Sequence, residues 1–325
     1  MSWPLLGAAI TPSLLIFWYF AARDLNPEPS SILRRTFFYG VLTTIPAVFL
    51  ELGEGALTGT KALPPVAASL NDAFLSAALV EELLKFSVLY FYARRQQAFD
   101  EPMDGIIYGV TASLGFATLE NVLYVAEHGM GTAIVRAIFA VPGHAVYGAL
   151  MGYFVGQAQF GDQQARGRNL ALALLVPIGL HGLYDFPLML LDKSQQIGVL
   201  ILVPVAVVAG AWMVVRKLVL RLHAEQVQLA RQGVVPTEPL PQPEPKRTLG
   251  AWLQLIIGGA LASWGGMVAL GLVVILVDDK PDPNLPNILI GCAIIGLLPL
   301  VLGLALFRAG LRPSSSPQFA ASSPN

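Results

Sequence analysis

The chain has 325 residues, of which 55% are hydrophobic and 13% charged, and its mean hydropathy is +0.63. This composition is typical of a protein that crosses a membrane several times. The formal net charge of −1 gives no basic surface of the kind that binds nucleic acid. The single cysteine excludes an intramolecular disulfide and a cysteine-based metal site.

Nine apolar runs are long enough to cross a bilayer, which takes roughly 20 residues each. The first run lacks a preceding basic region and a following cleavage site, so we interpret it as a retained span. We therefore predict an all-α, polytopic membrane helix bundle of about nine transmembrane helices. The runs lie at about residues 4–22, 36–52, 72–93, 104–126, 134–158, 169–191, 197–221, 251–277 and 286–308.

The basic residues predict the orientation of these spans. With the amino terminus outside, fifteen of the twenty Lys and Arg residues fall in the inner loops and tail, and four fall in the outer loops. The remaining one, Lys85, lies within a span. We therefore expect a multi-pass protein of the cell membrane with its amino terminus outside and its carboxyl terminus in the cytoplasm.

Composition also divides the chain into four parts. Residues 1–222 hold seven spans and the ionisable residues within them, so we expect the chemistry there. Residues 223–249 include the run VVPTEPLPQPEPKR, which predicts an extended cytoplasmic linker because proline cannot continue a helix. Residues 250–310 are predicted to form two additional transmembrane helices, and residues 311–325 a disordered tail.

The third span carries two neighbouring carboxylates, Glu81 and Glu82, in the segment VEELLKF. Burial of an ionised carboxylate in hydrocarbon is costly, so such residues indicate a function. Lys85 follows four and three residues later, where its ammonium can reach either carboxylate on a helix surface. Neighbouring helical residues point about 100° apart, so the two glutamates can have different roles.

Further polar residues occur in the fourth and sixth spans. Glu120, Asn121 and Tyr124 share one flank of the fourth span, and they are candidates for catalysis or its support. His181 and Asp185 lie one helical turn apart in the sixth span. A carboxylate at that spacing can fix the tautomer of a catalytic or metal-bound histidine.

The fifth span places His144 in line with Gly148, Gly152 and Gly156 at four-residue intervals. A stripe of small residues lets another helix approach closely, so we expect this histidine to face protein rather than lipid. Counted from the outer ends of their spans, Glu81, His144 and His181 share a depth of roughly 15 Å at about 1.5 Å per residue. The catalytic site is therefore predicted between spans three and six, in the outer half of the membrane.

These residue types suit hydrolysis. A glutamate can deprotonate water, while a histidine or a second acid donates a proton to the leaving amine. Two histidines and a glutamate also match the ligands of a catalytic zinc ion. No HExxH segment occurs, so a metal site would be assembled from three helices. A non-catalytic scaffold and a proton-coupled transporter are the alternatives, although no internal repeat of the kind common in transporters is evident.

Five segments resemble the PrsW family of intramembrane proteases, within the wider superfamily of CAAX-processing and bacteriocin-processing proteases. They are EELLK at 81–85, EPMDGIIYG at 101–109, GFATLEN at 115–121, the segment around His144, and HGLYD at 181–185. They occur in the family's order and spacing. The resemblance covers about residues 10–220, and the combination is far more specific than any one segment.

The resemblance implies a membrane-embedded endopeptidase that cleaves membrane-anchored proteins, such as an anti-sigma factor, near the extracytoplasmic side. It implies that Glu81 and Glu82 are paired catalytic residues with His144 and His181 as partners. The family is described as metal-dependent, so zinc held by His144, His181 and Glu82 is one prediction. A glutamate-activated water without a metal, as argued for the CAAX relatives, is the other. The remaining candidates are Glu120 and Asn121 as catalytic residues, and Lys85, Asp185 and Tyr124 as supporting residues.

Overall fold

A computed structural model describes residues 1–57, 63–194 and 198–232, together with residues 301 and 305. Two units can be distinguished, Met1–Glu238 and Pro239–Asn325, and the helices below belong to the first. Most of the predicted linker, the two additional spans apart from two positions, and the predicted tail lie outside the described residues. Over the described ranges the chain is helical with no strand, as predicted.

Nine α-helices occur among the described residues. They are α1 (Trp3–Ala21), α2 (Ser30–Leu57), α3 (Pro65–Asn71), α4 (Val80–Ser87), α5 (Pro102–His128), α6 (Met130–Ile138), α7 (Ala140–Phe160), α8 (Arg166–Ser194) and α9 (Leu202–Arg231). Helix α3 continues into α4 through a π-helical stretch at Asp72–Leu79. A second π-helical stretch at Val88–Tyr92 and a 3-10 turn at Ala93–Arg95 follow α4, so one helical segment runs from Pro65 to Arg95.

Five of these helical stretches are long and apolar enough to cross a membrane. The third predicted span is helical but is not among the five, and Glu81, Glu82 and Lys85 lie in its middle. The predicted span at 36–52 lies within α2, which is also not among them. The total of nine spans therefore stays a prediction. The five stretches are Trp3–Ala21, Pro102–His128, Met130–Phe160, Gln163–Lys193 and Leu202–Arg231.

The fifth predicted span is not one straight helix. It consists of α6 and α7, which meet at Phe139, where φ is −120°. Pro142 explains the break, because it has no N–H to donate to the carbonyl of Ile138, the last residue of α6. At the other end of this unit, α9 continues beyond the predicted boundary at residue 222 to Arg231.

Helix α5 is packed between α7 and α2 at very short range. On one side, a Cβ atom added at Gly109 would overlap the Gly148 carbonyl and lie 3.0 Å from the Cα of Gly152. On the other side, a Cβ atom at Gly40 of α2 would overlap the carbonyl of Ala112. Only glycine permits such backbone contact. The small-residue stripe predicted on α7 is therefore confirmed as the surface on which α5 packs.

Replacement of Gly109 by Ala is expected to destabilise the protein by about 1–3 kcal/mol, because the backbones of α5 and α7 must separate to admit a methyl group. Thermal unfolding of the purified protein in detergent measures this loss. Gly210→Ala is the matched control: Gly210 lies inside α9, and no atom of the described residues lies within 4 Å of its added Cβ. An equal or higher melting temperature is expected for that variant, and equal losses in both would contradict the packing argument.

Candidate active site

The two glutamates of α4 share one ammonium group. The Nζ of Lys85 donates hydrogen bonds to Oε2 of Glu81 at 2.9 Å and to Oε1 of Glu82 at 2.8 Å. It also lies 2.9 Å from Nδ1 of His144 on α7 and 4.3 Å from the centre of the Phe116 ring on α5. Lys85 has no exposed surface, so its charge is balanced only by these neighbours. The predicted reach of Lys85 is confirmed, and it contacts both carboxylates at once.

His181 on α8 is held between two carboxylates. Its Nδ1 lies 2.8 Å from Oε1 of Glu82, and its Nε2 lies 3.1 Å from Oδ2 of Asp185 one turn further along α8. The contact predicted from the spacing of His181 and Asp185 is therefore present. The ring of Tyr147, three residues after His144, stacks on the imidazole at 5.3 Å and an interplanar angle of 24°. These contacts fix the imidazole in position and direction.

His144 contacts a second, separate group of charges. Its Nε2 lies 2.8 Å from Oε2 of Glu120 on α5, and the same oxygen lies 2.7 Å from Nη2 of Arg136 on α6. The Nε of Arg136 donates to Oδ1 of Asn121 at 2.9 Å, and Nδ2 of Asn121 donates to the carbonyl of Ala9 at 2.7 Å. Asn121 thus contacts Arg136 rather than the histidines, and both polar ends of its side chain have partners.

Arg136 is not among the predicted site residues, because it is one of the four basic residues assigned to the outer loops. The guanidinium of Arg136 lies 4.2 Å from the centre of the ring of Tyr124, the predicted supporting residue. A sequence signal existed: Arg136 is the only charge in the run TAIVRAIFAV. Tyr147 was also missed, although its spacing from His144 puts both side chains on one face of α7.

A cavity of about 460 Å³ lies beside these groups, and the two glutamates differ in their access to it. Glu81 lines the cavity, whereas Glu82 has no exposed surface and does not line it. A molecule in the cavity can therefore touch Glu81 but is separated from Glu82. The other polar lining residues include Glu51, Glu120, Tyr124, Arg136, His144, Tyr147, His181, Tyr184 and Asp185.

The site residues also fit a divalent metal. Glu81, Glu82, His144 and His181 each offer one ligand atom, and these atoms all lie within 4.8 Å of one another. Lys85 and His181 both contact Oε1 of Glu82, while Oε2 is buried with no hydrogen-bond partner among the described residues. The carboxylates of this cluster, which include Glu81, Glu82, Glu120 and Asp185, outnumber its two basic side chains, Lys85 and Arg136, and this surplus of negative charge favours a dication. Nitrogen and carboxylate ligands are the set that zinc takes in hydrolases.

Replacement of Lys85 by Met is expected to destabilise the protein by about 3–5 kcal/mol, because two buried carboxylates lose their shared counter-ion. Lys193→Met is the matched control, since Lys193 pairs with Asp72 in a partly exposed position. Such a pair contributes at most about 1 kcal/mol. Unfolding in detergent at equal ionic strength measures both, and a loss for Lys85→Met no larger than that of the control would contradict the buried-pair argument.

Comparison with known proteins agrees with this geometry. The sequence profile of the PrsW family intramembrane metalloproteases matches residues 28–213. The chain is 41% identical to Protease PrsW of Geobacillus kaustophilus (strain HTA426) over 192 residues, which cover 59% of this chain and 81% of that protein. It is 40% identical to Protease PrsW of Bacillus subtilis (strain 168), over 58% of this chain and 84% of that protein.

Protease PrsW of Clostridioides difficile (strain 630) is 33% identical over 56% of this chain and 78% of that protein. No solved structure matches the chain. The profile covers more than half of the chain and includes every residue of the candidate site, so the resemblance seen in the sequence is confirmed. This favours a peptidase over the scaffold and transporter alternatives. The chain belongs to the PrsW family of intramembrane metalloproteases and is a membrane-embedded peptidase.

Proposed function

We propose that this protease hydrolyses peptide bonds of membrane-anchored proteins at the cavity beside Glu81, His144 and His181. One observation carries the proposal: acidic, basic and imidazole side chains from α4, α5, α7 and α8 meet at hydrogen-bonding distance along one cavity. Each of these buried charges is costly in an apolar protein, and the cavity gives Glu81, Glu120 and the two histidines access to water and substrate.

Glu81 is the general base of the proposed reaction, because it is the member of the glutamate pair that lines the cavity. Its carboxylate takes a proton from a water molecule, whose oxygen then attacks the carbonyl carbon of the scissile bond. When the bond to nitrogen breaks, the protonated Glu81 or a neighbouring imidazole donates a proton to the leaving amine. Oε2 of Glu81 lies 3.9 Å from Nδ1 of His144 and 4.0 Å from Nε2 of His181, so all three groups border the same reaction space.

The remaining residues position these groups. Glu82 holds Nδ1 of His181, and Asp185 holds its Nε2. Glu120 holds Nε2 of His144, and Arg136 balances the charge of Glu120. Asn121 acts in this proposal through Arg136, which it orients, and it is a positioning residue. Contacts at both ring nitrogens of each imidazole hold the two rings, which line the cavity, in a fixed orientation.

In the metal-dependent form of the proposal, His144, His181 and Glu82 would hold zinc. Bound zinc supplies a Lewis acid that acidifies water and polarises a peptide carbonyl. The unpartnered oxygen of Glu82 and the surplus of carboxylates over basic groups support this form. In the alternative form, Glu81 activates water with the two histidines alone.

The membrane topology belongs to the same proposal. The excess of basic residues in alternate loops supports nine spans with the amino terminus outside, and the site then lies between spans three and six in the outer half of the membrane. Substrates would be cleaved near the extracytoplasmic side, with an anti-sigma factor as one candidate. Residues 1–222 would form the protease core, followed by a linker at 223–249, two further spans at 250–310 and a disordered tail at 311–325.

Replacement of Glu81 by Gln is expected to lower the rate of substrate cleavage by about 10²–10⁴-fold, because the amide cannot accept the proton of water. The measurement compares the amino termini of membrane proteins in cells that express the native chain, Glu81→Gln or His144→Ala at equal abundance. New termini near the outer ends of membrane anchors should occur only with the native chain.

Glu225→Gln is the control for this comparison, because Glu225 is exposed on α9 and pairs only with Arg221. Termini like those of native cells are expected for this variant. If folded Glu81→Gln produces the same termini as the native chain, Glu81 is not the base. New termini confined to the cytoplasmic ends of anchors would contradict the proposed orientation.

Metal removal separates the two forms of the mechanism. Purified protein is expected to contain about one zinc ion per chain, and His181→Ala is expected to contain none. A chelator should abolish cleavage, and zinc should restore it. Full activity in metal-free protein, measured by elemental analysis of the same sample, would contradict the metal-dependent form and leave the glutamate mechanism.

A further inference from the structure

A second group of carboxylates lies at the opposite end of α5 from Glu120. Asp24 and Glu28 belong to the turn between α1 and α2, and Asp104 belongs to the first turn of α5. Each offers one oxygen atom, and these atoms all lie within 4.8 Å of one another. Asp104 and Glu120 are 16 residues apart on one helix, which corresponds to about 24 Å. The group is therefore separate from the candidate active site.

The hydrogen-bond donors around these carboxylates are neutral. Nε2 of Gln226 on α9 donates to Oδ1 of Asp24 at 2.7 Å and to Oε1 of Glu101 at 2.5 Å. The hydroxyl of Tyr108 donates to Glu28. No ion pair in the described part of the chain includes Asp24, Glu28, Glu101 or Asp104. The four carboxylates thus have no ion-pair partner in that part of the chain, and the imidazole of His223 on α9 is the basic group whose charge can act on Asp24.

Two carboxylate oxygens of the group accept no hydrogen bond from an N–H or O–H group of the described residues. They are Oδ1 of Asp104 and Oδ2 of Asp24, and both are buried. Asp104 is 1% exposed and Asp24 is 8% exposed, so bulk water does not solvate them. Oδ2 of Asp104 is already used, since it accepts from the backbone N–H of Asp100 at 2.6 Å and of Glu101 at 2.7 Å. An ionised carboxylate that is buried and lacks a donor at one oxygen is costly unless a cation lies beside it.

We propose that Asp24, Glu28 and Asp104 bind a hard divalent cation, Ca²⁺ or Mg²⁺, that ties the α1–α2 turn to the start of α5. The ligands on offer are all oxygen atoms, which favour Ca²⁺ and Mg²⁺ over zinc. Gln226 links the same site to α9, so the ion stabilises a junction of three helices. Its role is structural, and it is distinct from the nitrogen-containing ligand set of the active site.

The test uses the full-length protein in detergent after removal of metals with a chelator. Addition of Ca²⁺ or Mg²⁺ is expected to raise the melting temperature of the native chain. Tb³⁺, a luminescent substitute for Ca²⁺, is expected to emit when tyrosine is excited, because Tyr108 contacts Glu28. In Glu28→Gln the half-saturating ion concentration should rise at least about tenfold, because one charged ligand is lost. Glutamine can still accept the hydrogen bond of Tyr108.

Two comparisons locate the ion. Glu225→Gln removes an exposed carboxylate next to Gln226 and should bind the ion like the native chain. His181→Ala alters the active site and should also bind the ion like the native chain. Asp24→Asn provides a second test of the site and should weaken binding like Glu28→Gln. The proposal is overturned if millimolar Ca²⁺ and Mg²⁺ leave the melting temperature unchanged and Tb³⁺ gives no emission. It is also overturned if Glu28→Gln and Asp24→Asn bind like the native chain, or if His181→Ala abolishes binding.

Discussion

The structure depends on one buried ammonium group. Lys85 contacts Glu81, Glu82 and His144 at 2.8–2.9 Å without any exposure to solvent. The glutamates come from the same helix as Lys85, but the histidine comes from α7. The ammonium therefore connects neighbouring residues of α4 with a residue that is distant in the sequence. Without it, two adjacent buried carboxylates would repel each other with no counter-ion between them. The side-chain contact between Lys85 of α4 and His144 of α7 therefore helps to keep this pair of acids inside the protein.

A second constraint comes from the backbone contacts of α5. Gly109 lies against Gly148 and Gly152 of α7, four and eight residues beyond His144. Because a helix is rigid over such distances, this contact also fixes where Glu120 of α5 stands relative to His144. The 2.8 Å contact between Glu120 and His144 thus depends on glycines that lie outside the candidate active site. Packing and chemistry are coupled through one pair of helices.

The sequence predicts the parts of the site that depend on spacing within a helix. The contacts of Lys85 with both glutamates and of His181 with Asp185 follow from a period of 3.6 residues per turn. Contacts between helices do not follow from it. Arg136 of α6 pairs with Glu120 of α5, and the break between α6 and α7 near Pro142 is not evident from the apolar run either. The helical class was predictable from apolar runs, but these rotations of one helix against another were not.

The difference between Glu81 and Glu82 shows what the sequence leaves open and the structure decides. On a helix the two side chains diverge by about 100°, which allows separate roles but does not say which faces the substrate. Glu81 lines the cavity, while Glu82 is enclosed by Lys85 and His181. A base must reach water, and an orienting group must be shielded from it to hold an imidazole firmly. In the proposed mechanism, adjacent residues of one type thus have different roles because one borders the cavity and the other lies behind it.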